Sequence, residues 1–146
     1  MEAFLAAQQQ QSLSGSVVRV ISNRPSAAGL QTAKTHGIPT AIVDHTQFDS
    51  RESFDAALAN VVAKDQPDAV VLAGFMRILT PIFINRFAGK LLNIHPSLLP
   101  KYPGLNTHKR AIESGDREGG ATVHYATNEL DGGPPIPQTR VPIIQH

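Results

Sequence analysis

The stretch LLNIHPSLLPKYPG, Leu91 to Gly104, decides how the chain is read, together with the short loop LDGGP at Leu130 to Pro134. Leu91 to His95 reads as a short buried strand, and Pro96 stops it. Side chains alternate across a strand, so Asn93 and His95 leave it on the same face. An amide and an imidazole are thereby held side by side at the carboxyl end of a strand, where α/β sheets bind ligands. The second loop supplies Asp131 beside Gly132 and Gly133, which let the backbone turn tightly and come close to a ligand. A histidine, an amide donor and a loop carboxylate can together move protons and stabilise a developing oxyanion.

The segments around this stretch alternate between strand and helix. Met1 to Gln11 is rich in helix formers and stops before Ser14-Gly15; the glutamines Gln8 to Gln11 read as a solvated helix face. Val17 to Ile21 and Thr40 to Val43 are expected strands, separated by a helix capped by Ser26 and closed at Gly37 after His36. Asp49 with Glu52 three residues later has the form of a capping box, opening a helix whose Phe54, Leu58, Val61 and Val62 share one face.

Ala69 to Gly74 is a continuous apolar run, the mark of a strand covered on both faces. Thr80 and Pro81 form an N-cap and first helical position, with Gly89 ending that helix. A helix near Thr107 to Ser114 stops at Gly115; Ala121 to Ala126 is a further strand, and Gln138 to Ile144 a possible last one. The expectation is one α/β domain built on a mostly parallel sheet with right-handed crossovers.

Composition bounds the function. With 146 residues and 41% apolar content the chain can bury one core. A formal net charge of +1 without a dense basic run offers nothing to nucleic acid or an anionic membrane. Lack of cysteine removes disulfides, a thiolate nucleophile and cysteine-ligated zinc, and agrees with a reducing cytosol. No apolar run approaches the ~20 residues that span a bilayer. Glu2 and the missing basic n-region argue against a signal peptide. A soluble, cytoplasmic domain is expected.

NIHPSLLPKYPG, the upstream LAGFMRIL and the downstream VHYATNELDGGP resemble the glycinamide ribonucleotide formyltransferases, folate-dependent enzymes of purine synthesis. The NIHPSLLP and LDGGP pair resembles the wider formyltransferase superfamily. FMRIL, KYPG and FDSRE favour the glycinamide ribonucleotide branch over methionyl-tRNA formyltransferase or formyltetrahydrofolate deformylase. The likeness runs from the first helix to about Pro142.

That resemblance implies a Rossmann-like fold with helices on both faces of the sheet. It implies Asn93, His95 and Asp131 as catalytic residues, and Arg51, Met76, Arg77, Ile78, Leu79 and Thr127, with Asn93 and Asp131, as the folate contacts. His124 falls near the same cleft. The co-substrate implied is 10-formyltetrahydrofolate, with small-molecule partners and no metal; it says nothing of oligomeric state. An amine would attack the formyl carbon, Asn93 and protonated His95 would donate to the tetrahedral oxyanion, and Asp131 would favour the imidazolium or relay a proton through water. Neither a protein nucleophile nor a cysteine is needed.

Bland readings stand beside these. A lone Asn-x-His on a strand is more often structural, and Asp-Gly-Gly alone is an ordinary turn. Arg77 and Arg51 also fit solvated charges, Met76 and Leu79 plain packing, and His124 core packing. His36, His45, His108 and His146 lack metal-ligand spacing and read as surface residues.

The chain also departs from the family pattern. The family opens with a strand and a glycine-serine-asparagine loop for the substrate phosphate, and continues beyond VPI into a further loop and helix. This sequence matches neither part. It reads as an incomplete copy, with a strand missing between those expected at Val17–Ile21 and Ala69–Gly74, and its backbone partners lost. Pro135 and Pro137 each remove a ladder donor where the family continues a strand. Other readings left open are a non-catalytic folate-binding remnant, a chain needing another subunit, an inactive fragment, and the deformylase. The resemblance further suggests a cis Leu99–Pro100 bond.

Overall fold

The computed structural model describes residues 1–144. The chain divides into two compact units, Met1–Pro67 and Asp68–His146.

In the first unit, α1 (Glu2–Gln9) carries an acid in its first turn and buries Leu5. β1 (Val20–Ser22) pairs in parallel with β2 (Thr40–Ile42), and α2 (Ala28–Thr35) packs on both. Leu5, Ala33 and Ile38 form one core cluster, with Met1, Val17 and Val20 packed against it. Ser26 does not cap α2: the N-cap is Ala27, without a side-chain bond. After a single 3-10 turn at His45–Gln47, α3 (Arg51–Ala63) begins at Ser50 rather than Asp49. Its capping box is Ser50 with Ser53, because only a side chain one residue before the helix reaches the N3 amide. Phe54, Leu58 and Val62 are buried along α3, while Val61 is half-buried. Phe48 meets Phe54 edge-on at 5.8 Å. Arg19 pairs with Asp65, and each holds the other charged.

The second unit holds a four-stranded sheet in the order β3 (Val70–Leu72), β4 (Leu91–His95), β5 (Glu118–Tyr125), β6 (Pro135–Pro142). β3 and β4 are parallel, whereas β4–β5 and β5–β6 are antiparallel, so the sheet is mixed. The fold is the Rossmann-like one expected, with an antiparallel half that helix–strand alternation could not announce.

Among the described residues β1 pairs only with β2, and β3 only with β4. β3 is an edge strand, and the exposure of Val71 (37%) and Ala73 shows that the Ala69–Gly74 run is not covered on both faces. α4 (Pro81–Arg86) starts with Thr80 at the N-cap and Pro81 first, and buries Phe83 and Ile84. The Phe83 and Phe87 rings meet tilted by 49°, with centroids 4.8 Å apart. α5 (Thr107–Glu113) buries Thr107 and Ala111.

β5 begins at Glu118, earlier than its apolar residues suggest, because Gly119 and Gly120 belong to it. A Cβ on Gly120 would lie 2.0 Å from the carbonyl oxygen of Thr139 on β6, so only glycine fits that close approach. β6 includes both Pro135 and Pro137, which an edge strand tolerates where the nitrogen faces away from its partner. A register shift between Thr122 and His124 interrupts the ladder there.

Candidate functional site in the second unit

β4 ends on His95 as the sequence implied, and the Leu99–Pro100 peptide after it is cis. His95 is 5% exposed. Its Nε2 lies 2.9 Å from the carbonyl oxygen of Tyr102. A carbonyl can only accept, so Nε2 carries a hydrogen and donates it. Nδ1 faces Oδ2 of Asp131 at 3.4 Å. That oxygen also accepts the amide hydrogen of Gly104, at 2.9 Å.

Asp131 has φ +51°, a conformation that aspartate tolerates better than most residues. The turn behind it depends on Gly133, where a Cβ would stand 1.7 Å from the carbonyl oxygen of Tyr125. The loop is thereby pressed against the end of β5, and Tyr125 N–H donates to Pro134 at 3.1 Å.

Asn93 and His124 sit opposite each other across the β4–β5 ladder. Asn93 Nδ2 lies 3.3 Å from His124 Nε2, and that Nε2 lies 3.5 Å from Asp131 Oδ1. His124 Nδ1 faces the carbonyl of Tyr125 at 3.0 Å and donates to it. In the neutral ring Nε2 is then an acceptor for the Asn93 amide. That nitrogen serves one partner at a time: in the neutral ring it accepts from Asn93, and only as the Nε2–H of a protonated ring does it donate to Asp131 Oδ1. His124, which the sequence allows as core packing or as a cleft residue, is 2% exposed and a member of the cluster.

The remaining expected contacts vary in placement. Met76 and Ile78 are 74% and 61% exposed, Arg77 is half-buried, and Leu79 is buried. Thr127 is exposed, its hydroxyl accepting from Glu129 N–H at 3.3 Å. Arg51 opens α3 in the first unit. The described residues contain no cluster able to ligate a metal ion, and His146 lies outside them.

Four contributors carry no mark in the sequence. Tyr102 and Gly104 act through backbone groups, which no residue type advertises. Thr122, fully buried, donates to the carbonyl of Ser97 at 2.7 Å and accepts from Leu99 N–H at 3.0 Å. Gln138 on β6 donates to Thr122 Oγ1 and to the carbonyl of Leu99. These bonds fix the loop that leaves β4. An open hollow of about 570 Å³ lies beside that loop, lined in part by Leu98, Pro100, Lys101 and Arg140; Asn93, His95 and Asp131 do not line it.

A model of the "Formyl transferase" family matches residues 1–146. The chain is 51% identical to phosphoribosylglycinamide formyltransferase of Escherichia coli (strain K12) over 144 residues, covering 99% of this chain and 68% of that protein. It is 52% identical to the Haemophilus influenzae protein of the same name, covering 86% of this chain and 59% of the relative. The trifunctional purine biosynthetic protein adenosine-3 of Drosophila melanogaster is 47% identical over 92% of this chain, which spans 10% of that protein. Glycinamide ribonucleotide transformylase 1 from Symbiobacterium toebii has a solved structure that matches with TM-score 0.94 at 40% identity, over 99% of this chain and 68% of that one. No helix among the described residues is long and apolar enough to cross a membrane. The chain belongs to the formyl transferase family.

Proposed function

We propose that the second unit carries the formyl-handling part of a phosphoribosylglycinamide formyltransferase site. It would transfer the formyl group of 10-formyltetrahydrofolate to the amine of glycinamide ribonucleotide. The relatives' names supply the reaction; the clustering of Asn93, His124, Asp131 and His95 is the observation that carries it to this chain.

The chemistry divides among those residues. The amine attacks the formyl carbon, and the carbonyl oxygen takes up negative charge. Asn93 has a second amide hydrogen beyond the one directed at His124, and it serves that oxyanion. The amine nitrogen must lose one proton, and the folate nitrogen that departs must gain one. The His95–Asp131 pair, whose Nδ1 and Oδ2 face each other at 3.4 Å, accepts the first and returns the second. No covalent intermediate on the protein is needed.

Met76 and Ile78 present apolar side chains to solvent, which suits the flat pterin ring of a folate. Arg77, Leu79 and Thr127 complete the folate contacts proposed for this unit, with Asn93 and Asp131 at the reacting end. The proposal covers small-molecule substrates and a cytoplasmic setting, with neither metal nor nucleic acid involved.

The test incubates the 146-residue chain with 10-formyltetrahydrofolate and glycinamide ribonucleotide. Formylated ribonucleotide is the expected product. Formate release that ignores the acceptor would make the protein a deformylase. Saturable binding of a folate analogue without either product would leave only the folate-binding reading.

A further inference from the structure

The KYPG loop grips both partners of the proposed proton-handling pair from behind. The Tyr102 carbonyl accepts from His95 Nε2, and Gly104 N–H donates to Asp131 Oδ2, each at 2.9 Å. Tyr102 has φ +54°. A bulky side chain enters that region only when its surroundings hold it there.

The holding contacts are specific. The Tyr102 hydroxyl donates to Asp116 Oδ2 at 3.1 Å, and Arg110 lies over the ring, 5.3 Å from its centroid. Lys101 donates to both oxygens of Asp116, at 3.1 and 3.0 Å, while its own carbonyl accepts from Ser97 Oγ at 2.6 Å. Arg110 also donates to the Pro103 carbonyl at 2.6 Å. A relaxed backbone at residue 102 would swing its carbonyl off the imidazole.

We propose that Tyr102 is a positioning residue for His95: its anchored ring holds a left-handed backbone that aims the carbonyl at Nε2, which leaves Nδ1, facing Asp131, as the nitrogen that exchanges protons with substrate. This role rests on the proton-carrying function assigned to His95 above. With Nε2–H bound to a carbonyl, the neutral ring has its lone pair on Nδ1, and the other tautomer is disfavoured. Once the carbonyl is released, the ring can rotate and either nitrogen can hold the hydrogen. The pair then meets substrate in the productive form for only part of the time.

The test compares the full chain with its Tyr102→Phe and Asp116→Ala variants, neither of which alters a group proposed to touch substrate. Nitrogen NMR of the histidine rings reads the tautomer and the exchange of the Nε2 hydrogen. In the parent chain His95 should show a protonated, slowly exchanging Nε2. In both variants that hydrogen should exchange at least about tenfold faster, with the two ring-nitrogen shifts drawn together, and kcat should fall about tenfold at a nearly constant KM.

A lower melting temperature with unaltered His95 signals would overturn the proposal, since the loop would then serve stability alone. Loss of turnover without a change at the ring would likewise overturn it while sparing the proposed function. Altered ring signals in a chain without turnover would uphold the positioning role and remove the function it was meant to serve.

Discussion

His95 Nδ1 and Asp131 Oδ2 lie 3.4 Å apart, and each side chain is only 6% exposed. Water screens so buried a pair poorly, so the placement of one hydrogen between them carries more weight than on the surface. Each partner is also tied to the KYPG loop, His95 by Nε2 and Asp131 by its bond from Gly104. The pair is the centre on which the sequence motifs converge.

Asn93→Ala should lower kcat by about 10²–10³, the usual loss for one oxyanion donor, and His95→Ala should lower it at least as much. Thermal melts of both variants should move far less than turnover does. If folding and turnover declined together, the two residues would be structural.

Asp131→Asn separates charge from shape. Asparagine tolerates the left-handed backbone at φ +51° and can still accept from Gly104, but it cannot share a proton with His95. Turnover should fall about 10²-fold or more with a nearly unchanged melt. Asp131→Ala should add a loss of stability, because alanine strains at that φ. Steady-state kinetics beside calorimetry distinguish the two variants.

Much of this site was legible because the residue types carry their chemistry with them. Asn93 and His95 on β4, and Asp131 in a glycine turn, were all read from spacing and motif. The backbone carbonyl of Tyr102 and amide of Gly104 were not, since every residue has them and only the tertiary fold aims them. Likewise the antiparallel pairing of β4 with β5 and β6 depends on where the chain returns, not on local periodicity. The Ala69–Gly74 run misled for a related reason: apolar composition marks what a strand can bury, not which neighbours it has.

The Asp116–Lys101 pair yields a prediction in pH. Lys101 and the Tyr102 hydroxyl hold the Asp116 carboxyl below its ordinary value, and Asp116 raises Lys101 above its own. A depressed carboxyl contributes stability above its unfolded-state value, near 3.9, and loses it as pH falls through the folded-state value. A raised ammonium contributes below about 10.4 and loses that contribution as pH rises through its folded-state value. Asp116→Asn should therefore be less stable than the parent chain between those limits, with the gap closing below about pH 4. A gap that persisted at lower pH would mean that the charge was irrelevant. Denaturant melts across the range provide the measurement.

At the start of α3 the structure and the sequence pattern name different caps. Ser50 Oγ accepts from Ser53 N–H at 3.1 Å, and Ser53 Oγ reaches back to Ser50 N–H at 3.3 Å. Ser50→Ala should cost about 0.5–2 kcal/mol, while Asp49→Ala should cost less than about 0.5. Chemical denaturation of the two variants decides between them, and a larger loss at Asp49 would restore the capping box first read from the sequence.

Gly120→Ala examines the β5–β6 contact. The added methyl would lie 2.0 Å from the Thr139 carbonyl oxygen and 2.7 Å from a methyl group of Leu98. Leu98 can rotate away, but a backbone carbonyl in a paired ladder cannot, so the strands must part. Separation there pulls Gln138 from Thr122 and from the Leu99 carbonyl, the bonds that fix the loop after β4. The expected cost is about 1–3 kcal/mol, as for other overpacked sites, with a loss of turnover because that loop carries the Tyr102 carbonyl to His95. Gly119→Ala is the control: its Cβ would meet only Ile143 side-chain carbons at 3.6 and 3.7 Å, an ordinary contact. Equal destabilisation by the two substitutions would show that lost glycine flexibility, rather than the Thr139 collision, governs this edge of the sheet.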